Sequence, residues 1–294
     1  MSYHMKILMT VLYLVFLSCS NGNNAKQVYT GVVEGTIVKV PALTGGKIMQ
    51  LYFDTGDFIE KGTTLAQIDT LDLSYQRQNL SGILQEVENQ KKITMTQLKR
   101  AEKELKYVQE KYQRFEDLRK SESISQQNVD DLKNQLQNAE SVYQTALQQI
   151  HTVESKRTQA EAQLSSVRKK IQDATITSPL SGTVADKYYE AGEAIPPLTP
   201  LAEIIDLNEV WVKIYLSEKM LPRIRTGQKT EIHLDGTDQT LSGTISWINS
   251  KAEFTPKTIL TPETRTSLVY AVKVTISNPD HLLKHGMPVE VHLP

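Results

Sequence analysis

One stretch of this chain lacks the residues that break helices. Eleven prolines occur in 294 residues, yet none lies between Pro41 and Pro179. Gly82 is the only glycine between Gly62 and Gly182. The stretch is rich in Gln, Glu, Lys and Leu, so it is permissive for long helices. Its apolar residues fall in columns spaced by seven. In the first arm one column is Leu80, Val87, Thr94, Ala101, Val108 and Phe115, and its companion is Leu84, Lys91, Leu98, Leu105 and Tyr112. In the second arm the columns are Val129, Leu136, Tyr143, Ile150, Arg157, Leu164 and Ile171, with Leu132, Ala139, Ala146, Val153, Ala160, Val167 and Ala174. Offsets of three and four place each pair of columns on one narrow stripe. The other faces are almost wholly polar. A helix with so narrow a stripe packs against one partner, not inside a globular core. Lys91 and Arg157 interrupt the columns. They are expected to snorkel outward from the seam, or to pack between neighbouring copies.

A polar break from Arg119 to Ser123 divides the arms, and Ser125 or Ser123 caps the second. The pattern predicts antiparallel helices over 71–118 and 125–172, each roughly 70 Å long. A hairpin of that length projects from the body and meets something at its tip. The alternative is an intermolecular coiled coil with no hairpin. The short break and the flanking sequence argue against it.

The flanks align with one another. Gly46, Ile48, Asp54, Gly56, Asp57, Ile59, Leu65, Ala66 and Ile68 each have a counterpart 136 residues later. Those counterparts are Gly182, Val184, Glu190, Gly192, Glu193, Ile195, Leu201, Ala202 and Ile204. Asp-Thr-Gly-Asp and Glu-Ala-Gly-Glu read as turns in which Gly takes positive φ. The alternating runs around them read as strands. Halves of about 30 residues are too small to stand alone. They are expected to close on each other as a β-sandwich, bringing Ile68 and Ile176 together and forcing the intervening segment into a hairpin.

This split repeat resembles a biotinyl/lipoyl-carrier domain opened by a helical hairpin. The arrangement is similar to the HlyD-like membrane fusion proteins, or periplasmic adaptors. In a true carrier the halves meet at a hairpin bearing a modified Lys. Here the coiled coil replaces that turn, and no lysine takes the role. After Leu207 the helical period disappears. Short strands are expected at 210–215, 227–234, 241–248 (with Gly243 as a possible bulge), 268–276 and 287–293. A short helix begins at Ser217. Such strands suggest a small antiparallel barrel. The stretch from Leu207 to Gln228 resembles the family's first barrel strands. Ala252 to Val291 resembles its later ones, in the subset that partners ABC-type exporters. Many adaptors continue into a membrane-proximal domain. Here Pro294 follows the barrel strands directly, and a full fourth domain is not expected.

At the amino terminus Lys6 precedes the apolar run Ile7 to Leu17, followed by Ser18 and Cys19. This reads as a secretory signal. Cys19 directly after the run resembles the lipobox of bacterial lipoproteins, although Phe16 departs from the usual Leu. The resemblance implies a lipid on Cys19. A cleaved signal with an incidental Cys and a short membrane anchor are the alternatives. Ser20 to Asn24 forms a polar tether.

Adaptors that engage a TolC-like outer-membrane channel resemble one another at the hairpin tip: an Arg, a Leu four residues on, and a Ser seven beyond. Arg114, Leu118 and Ser125 stand at that spacing. Arg offers a donor fork for carbonyls or carboxylates of a partner helix. Leu supplies an apolar knob, and Ser permits close approach. The other reading makes Arg114 a solvated residue, Leu118 the last rung of the hairpin core and Ser125 only a cap.

Other chemistry is not visible. The net charge of -1 argues against nucleic acid as a partner. A single Cys precludes an intrachain disulfide. No phosphate-cradling glycine loop, zinc-ligand spacing or nucleophile–base set is present, and His281 and His285 read as loop histidines. No enzymatic activity and no cofactor are expected.

The expected fold is α+β and multi-domain: a lipoyl-like β-sandwich split by a long antiparallel coiled-coil hairpin, plus a small antiparallel β-barrel. The expected divisions are a lipoprotein signal at 1–19, a tether at 20–27, and a strand at 28–38 joining the barrel or membrane-proximal end. Sandwich halves follow at 39–69 and 173–206, the hairpin at 70–172 with its tip at 119–124, and the barrel at 207–294. The resemblance implies a periplasmic adaptor of a Gram-negative bacterium, lipid-anchored at the inner membrane. Its partners would be an exporter of ABC type, a TolC-like channel and copies of itself, in rings of six. The alternative is a structural envelope lipoprotein that self-associates through the hairpin.

Overall fold

The computed structural model describes residues 27–234, 236, 239–254 and 268–293. The signal, Cys19 and most of the tether lie outside the described residues. Before the hairpin come β1 (Gln27–Ala42), β2 (Gly46–Leu51), β3 (Phe58–Ile59) and β4 (Thr64–Ile68). The hairpin is α1 (Leu71–Lys120) and α2 (Gln126–Asp173). Then follow β5 (Thr175–Thr177), β6 (Gly182–Lys187), β7 (Ala194–Ile195) and β8 (Thr199–Ser217). A 3₁₀ helix (Glu218–Arg223) leads to β9 (Lys229–Leu234), β10 (Thr240–Ile248), β11 (Glu253–Phe254), β12 (Leu268–Ser277) and β13 (Pro288–Leu293).

The sequence repeat becomes a pseudo-twofold sandwich. One sheet runs β1-β8-β6-β3 and the other β5-β4-β2-β7. Each half completes the other. Gly46 pairs with Ile195 of β7, and its counterpart Gly182 pairs with Ile59 of β3. The Gly56 N–H donates to Val184 O at 2.9 Å, and the Gly192 N–H donates to Ile48 O at 2.8 Å. Both glycines have positive φ, 94° and 97°. Asp57 and Glu193 cap their turns alike, accepting from the N–H of Asp54 (2.7 Å) and Glu190 (2.8 Å). Lys187 ties the two turns together, 3.0 Å from Asp54 and 2.8 Å from Glu190. Ile48, Leu65, Ile68, Leu201 and Ile204 fill the core, and Ile176 packs into the same cluster as Ile68.

Six strands, β1-β13-β9-β10-β12-β8, close into a barrel through the β8–β12 pairing. Its interior holds Val33, Val210, Ile214, Leu216, Ile232, Ile245 and Ile276. β1 and β8 each run through both sandwich and barrel, so two continuous strands join the bodies. Where they cross, Gly35 faces Val210 but Thr36 faces Asp206, leaving residues 207–209 looped out. A Cβ at Gly35 would lie 2.8 Å from Asp206 O, which accounts for the glycine. The buried side chain of Asn278 ties this loop down. Its amide donates to Leu207 O (2.8 Å) and Leu283 O (2.9 Å), and its carbonyl accepts from the Leu283 N–H (3.0 Å).

Gly243 is not a bulge. The β10 register shifts between Ile245 and Trp247 instead. Gly243 is needed because a Cβ there would meet Val274 Cγ1 at 2.6 Å in the barrel interior.

In the hairpin, every column residue is buried or half-buried. Thr94, Ala101 and Val108 of α1 are buried, as are Val129, Leu132, Val153, Ala160, Leu164 and Val167 of α2. The small Thr94, Ala101 and Ala160 let the arms approach closely. Lys91 and Arg157 reach across the seam rather than outward. Lys91 lies 3.0 Å from Glu154 of the other arm, and Arg157, paired at 2.9 Å with Glu154 on its own helix, lies 3.8 Å from Glu88 across the seam.

Candidate functional site

The tip is built from a helix end without glycine. Ser121 caps α1, and the next two N–H groups close a Schellman pair: Glu122 donates to Arg119 O (3.0 Å) and Ser123 to Leu118 O (3.1 Å). The geometry requires a left-handed residue at the turn, and Glu122 takes it with φ 57°. The Ser121 hydroxyl also donates to Leu118 O at 2.8 Å. Arg119 Nε donates across the break to Gln126 Oε1 at 3.2 Å. These bonds fix the turn while leaving its outer surface polar. Lys120 pairs with Asp117 at 2.9 Å and holds that carboxyl below its usual range.

Ser125 is the N-cap residue of α2, with extended backbone, φ -72° and ψ 151°. Its hydroxyl makes no bond to its own helix, so the capping bond expected from the sequence is absent. The seam ends at half-buried Phe115 with Val129 and Leu132. Leu118 lies beyond this rung and is 40% exposed. It is therefore not the closing rung of the core. Arg114, one turn earlier on α1, is exposed. Among the described residues its guanidinium has no ion-pair or hydrogen-bond partner. The fold thus places a free cationic fork, an apolar knob and an unspent hydroxyl within two turns of the two helix ends. Such a set can bind the backbone and apolar face of another helix; it has no groups for bond-breaking chemistry. Glu122 had no signal in the sequence, because nothing about glutamate marks a left-handed turn.

Four of the described histidines make local contacts away from the tip. His285 Nδ1 accepts from the Gly35 N–H at 3.3 Å, and His281 bonds Asn208 at 3.0 Å. His233 and His292 stack on the barrel wall with centroids 4.0 Å apart. Among the described residues no group of three or more His, Cys, Asp or Glu is placed to hold a metal ion. No described helix is long and apolar enough to cross a membrane.

Comparison with known proteins places these bodies. Residues 36–206 match the profile of the barrel-sandwich hybrid domain of RND membrane fusion proteins. Residues 209–294 match that of the CusB-like β-barrel domain. The UPF0194 membrane protein of Yersinia pseudotuberculosis serotype O:3 is 28% identical over 304 aligned positions, covering 92% of this chain and 90% of that one. The UPF0194 membrane protein in the asrC 5' region of Acidithiobacillus ferridurans is 42% identical over 135 residues. That match spans 46% of this chain and 40% of the relative. Among solved structures, MacA from Actinobacillus actinomycetemcomitans superposes with a TM-score of 0.63 at 21% identity, over 92% of this chain and 78% of that one. A MacA–MexA chimeric protein carrying the Pseudomonas aeruginosa MexA α-hairpin gives 0.54 at 22% identity, over 92% and 79%. At these identities the likeness is one of fold.

Proposed function

Because this chain belongs to the membrane fusion protein family of periplasmic adaptors, we propose that it links an inner-membrane exporter to a TolC-like outer-membrane channel. It acts as a connector in a tripartite efflux system and not as an enzyme. The observation that carries the reading is the free tip set, Arg114, Leu118 and Ser125, at the end of a hairpin about 75 Å long. A hairpin held shut by its own seam has no internal use for a free guanidinium and an exposed leucine one turn apart. In this account the tip intermeshes with helical ends of the channel. Arg114 donates to main-chain carbonyls, Leu118 fills an apolar notch and Ser125 donates one hydrogen bond. Copies of the chain stand side by side in a ring of six, and substrate passes through unchanged.

Cys19 carries the lipid that holds the chain at the inner membrane. The exporter is of ABC type, a reading that rests on the resemblance of Ala252 to Val291. The matched profiles carry RND and CusB-like descriptions, so co-purification of the exporter decides this point. The test of the tip is export itself. Arg114→Glu with Leu118→Asp abolishes export while thermal unfolding stays within about 0.5 kcal/mol of the parent, as expected for surface positions. Full export by that folded variant would remove the reading.

A further inference from the structure

The barrel has two unlike ends. One joins the sandwich through β1 and β8. The other is formed by the start of β1, the 3₁₀ helix, the turn at 225–228 and the β10–β11 bend. Among the described residues this far end carries five cations: Lys219, Arg223, Arg225, Lys229 and Lys251. Among the described residues none of the five has an ion-pair partner. Glu218, Glu253 and, one step inward, Glu231 oppose them, so the described part of this end is net positive on a chain of net charge -1. An apolar pair projects there as well. Phe254 and Leu268 face one another across β11 and β12, 81% and 54% exposed.

The chain's amino-terminal segment enters at this same end, because β1 starts at Gln27. Eight peptide steps separate Gln27 from Cys19, a reach of at most about 28 Å. Anchoring at Cys19 therefore holds the cationic, aromatic end close to the bilayer. Lysines and arginines are drawn to anionic leaflets within about a Debye length, and aromatic side chains favour the headgroup level.

We propose that this end of the barrel is a lipid-binding surface that seats on anionic headgroups, with Phe254 and Leu268 dipping into the interface. The proposal rests on the anchoring reading of the amino-terminal segment. Its test uses the full chain with phosphatidylcholine vesicles, with or without phosphatidylglycerol, carrying brominated acyl chains. A Phe254→Trp substitution adds an indole at an exposed site, and circular dichroism checks its fold. The expected result is co-sedimentation with anionic vesicles, together with quenching of the added indole. Arg223→Glu with Arg225→Glu should weaken that quenching about tenfold or more. A chain that co-sediments with its added indole unquenched overturns the proposal and leaves the anchoring reading standing. This is also the result if the end docks an exporter instead of lipid. A chain left in the supernatant with both vesicle types overturns both.

Discussion

Gly62 and Leu198 occupy the same place in the two halves of the repeat. The Gly62 N–H donates to Ser178 O at 2.8 Å, and 136 residues on the Leu198 N–H donates to Ala42 O at 2.6 Å. Both have positive φ, 87° and 62°. For glycine this costs little. For an L-residue with a side chain it costs about 1–2 kcal/mol. Leu198 is 74% exposed, so packing within the chain does not offset that cost. Leu198→Gly should stabilise the protein by about 0.5–1 kcal/mol, after allowing for the freer unfolded chain. The measurement is the urea midpoint, and Gly62→Leu should move it the other way. Open space surrounds Gly62, so a loss there reports backbone strain and not a clash. Asn278 makes the opposite case. Its buried amide satisfies three backbone groups, and Asn278→Ala should cost roughly 2–3 kcal/mol by leaving them unpaired. The turn glycines of the repeat were legible in the sequence because their partners are glycines too. Leu198 and Glu122 were not, because only the backbone marks them as left-handed.

The hairpin is the element the sequence describes most fully. All of its apolar columns land in the seam, because a seven-residue period leaves one stripe to bury. The cross-seam contacts, Lys91 with Glu154 and Arg157 with Glu88, depend on the register of one arm against the other, which the columns alone leave open. That register puts Glu154 between both cations. Its carboxyl is held below the usual glutamate range, first by the hydrogen bond from Lys91 and then by that from Arg157. A carboxylate with a depressed pKa contributes stability above its unfolded value and loses it as pH falls through the folded one. Helix melts followed by circular dichroism should therefore be steady at neutral pH and fall to lower temperature below about pH 4.3. Glu154→Gln should flatten that acid-side decline. An equal decline in the variant would assign it to other carboxylates.

At the scale of the whole molecule, two shared strands make the barrel and the sandwich continuous, and the hairpin leaves the sandwich at Leu71 and returns at Asp173. One of the six barrel strands, β1, comes from before the hairpin, where the sequence offers a strand at 28–38 joining the barrel or the membrane-proximal end. The sequence does not show that this strand runs unbroken into the sandwich as far as Ala42, with only the register shift at Gly35/Thr36 between the two bodies. β1 begins at the barrel end away from the sandwich, and the hairpin leaves from the sandwich, an order that fits the proposed connector. Crosslinking from the tip in intact envelopes tests this most directly. With a photoreactive residue at Ser121, the account predicts capture of an outer-membrane channel, with the exporter retained in the same complex. Capture of nothing but further copies of this chain would contradict it.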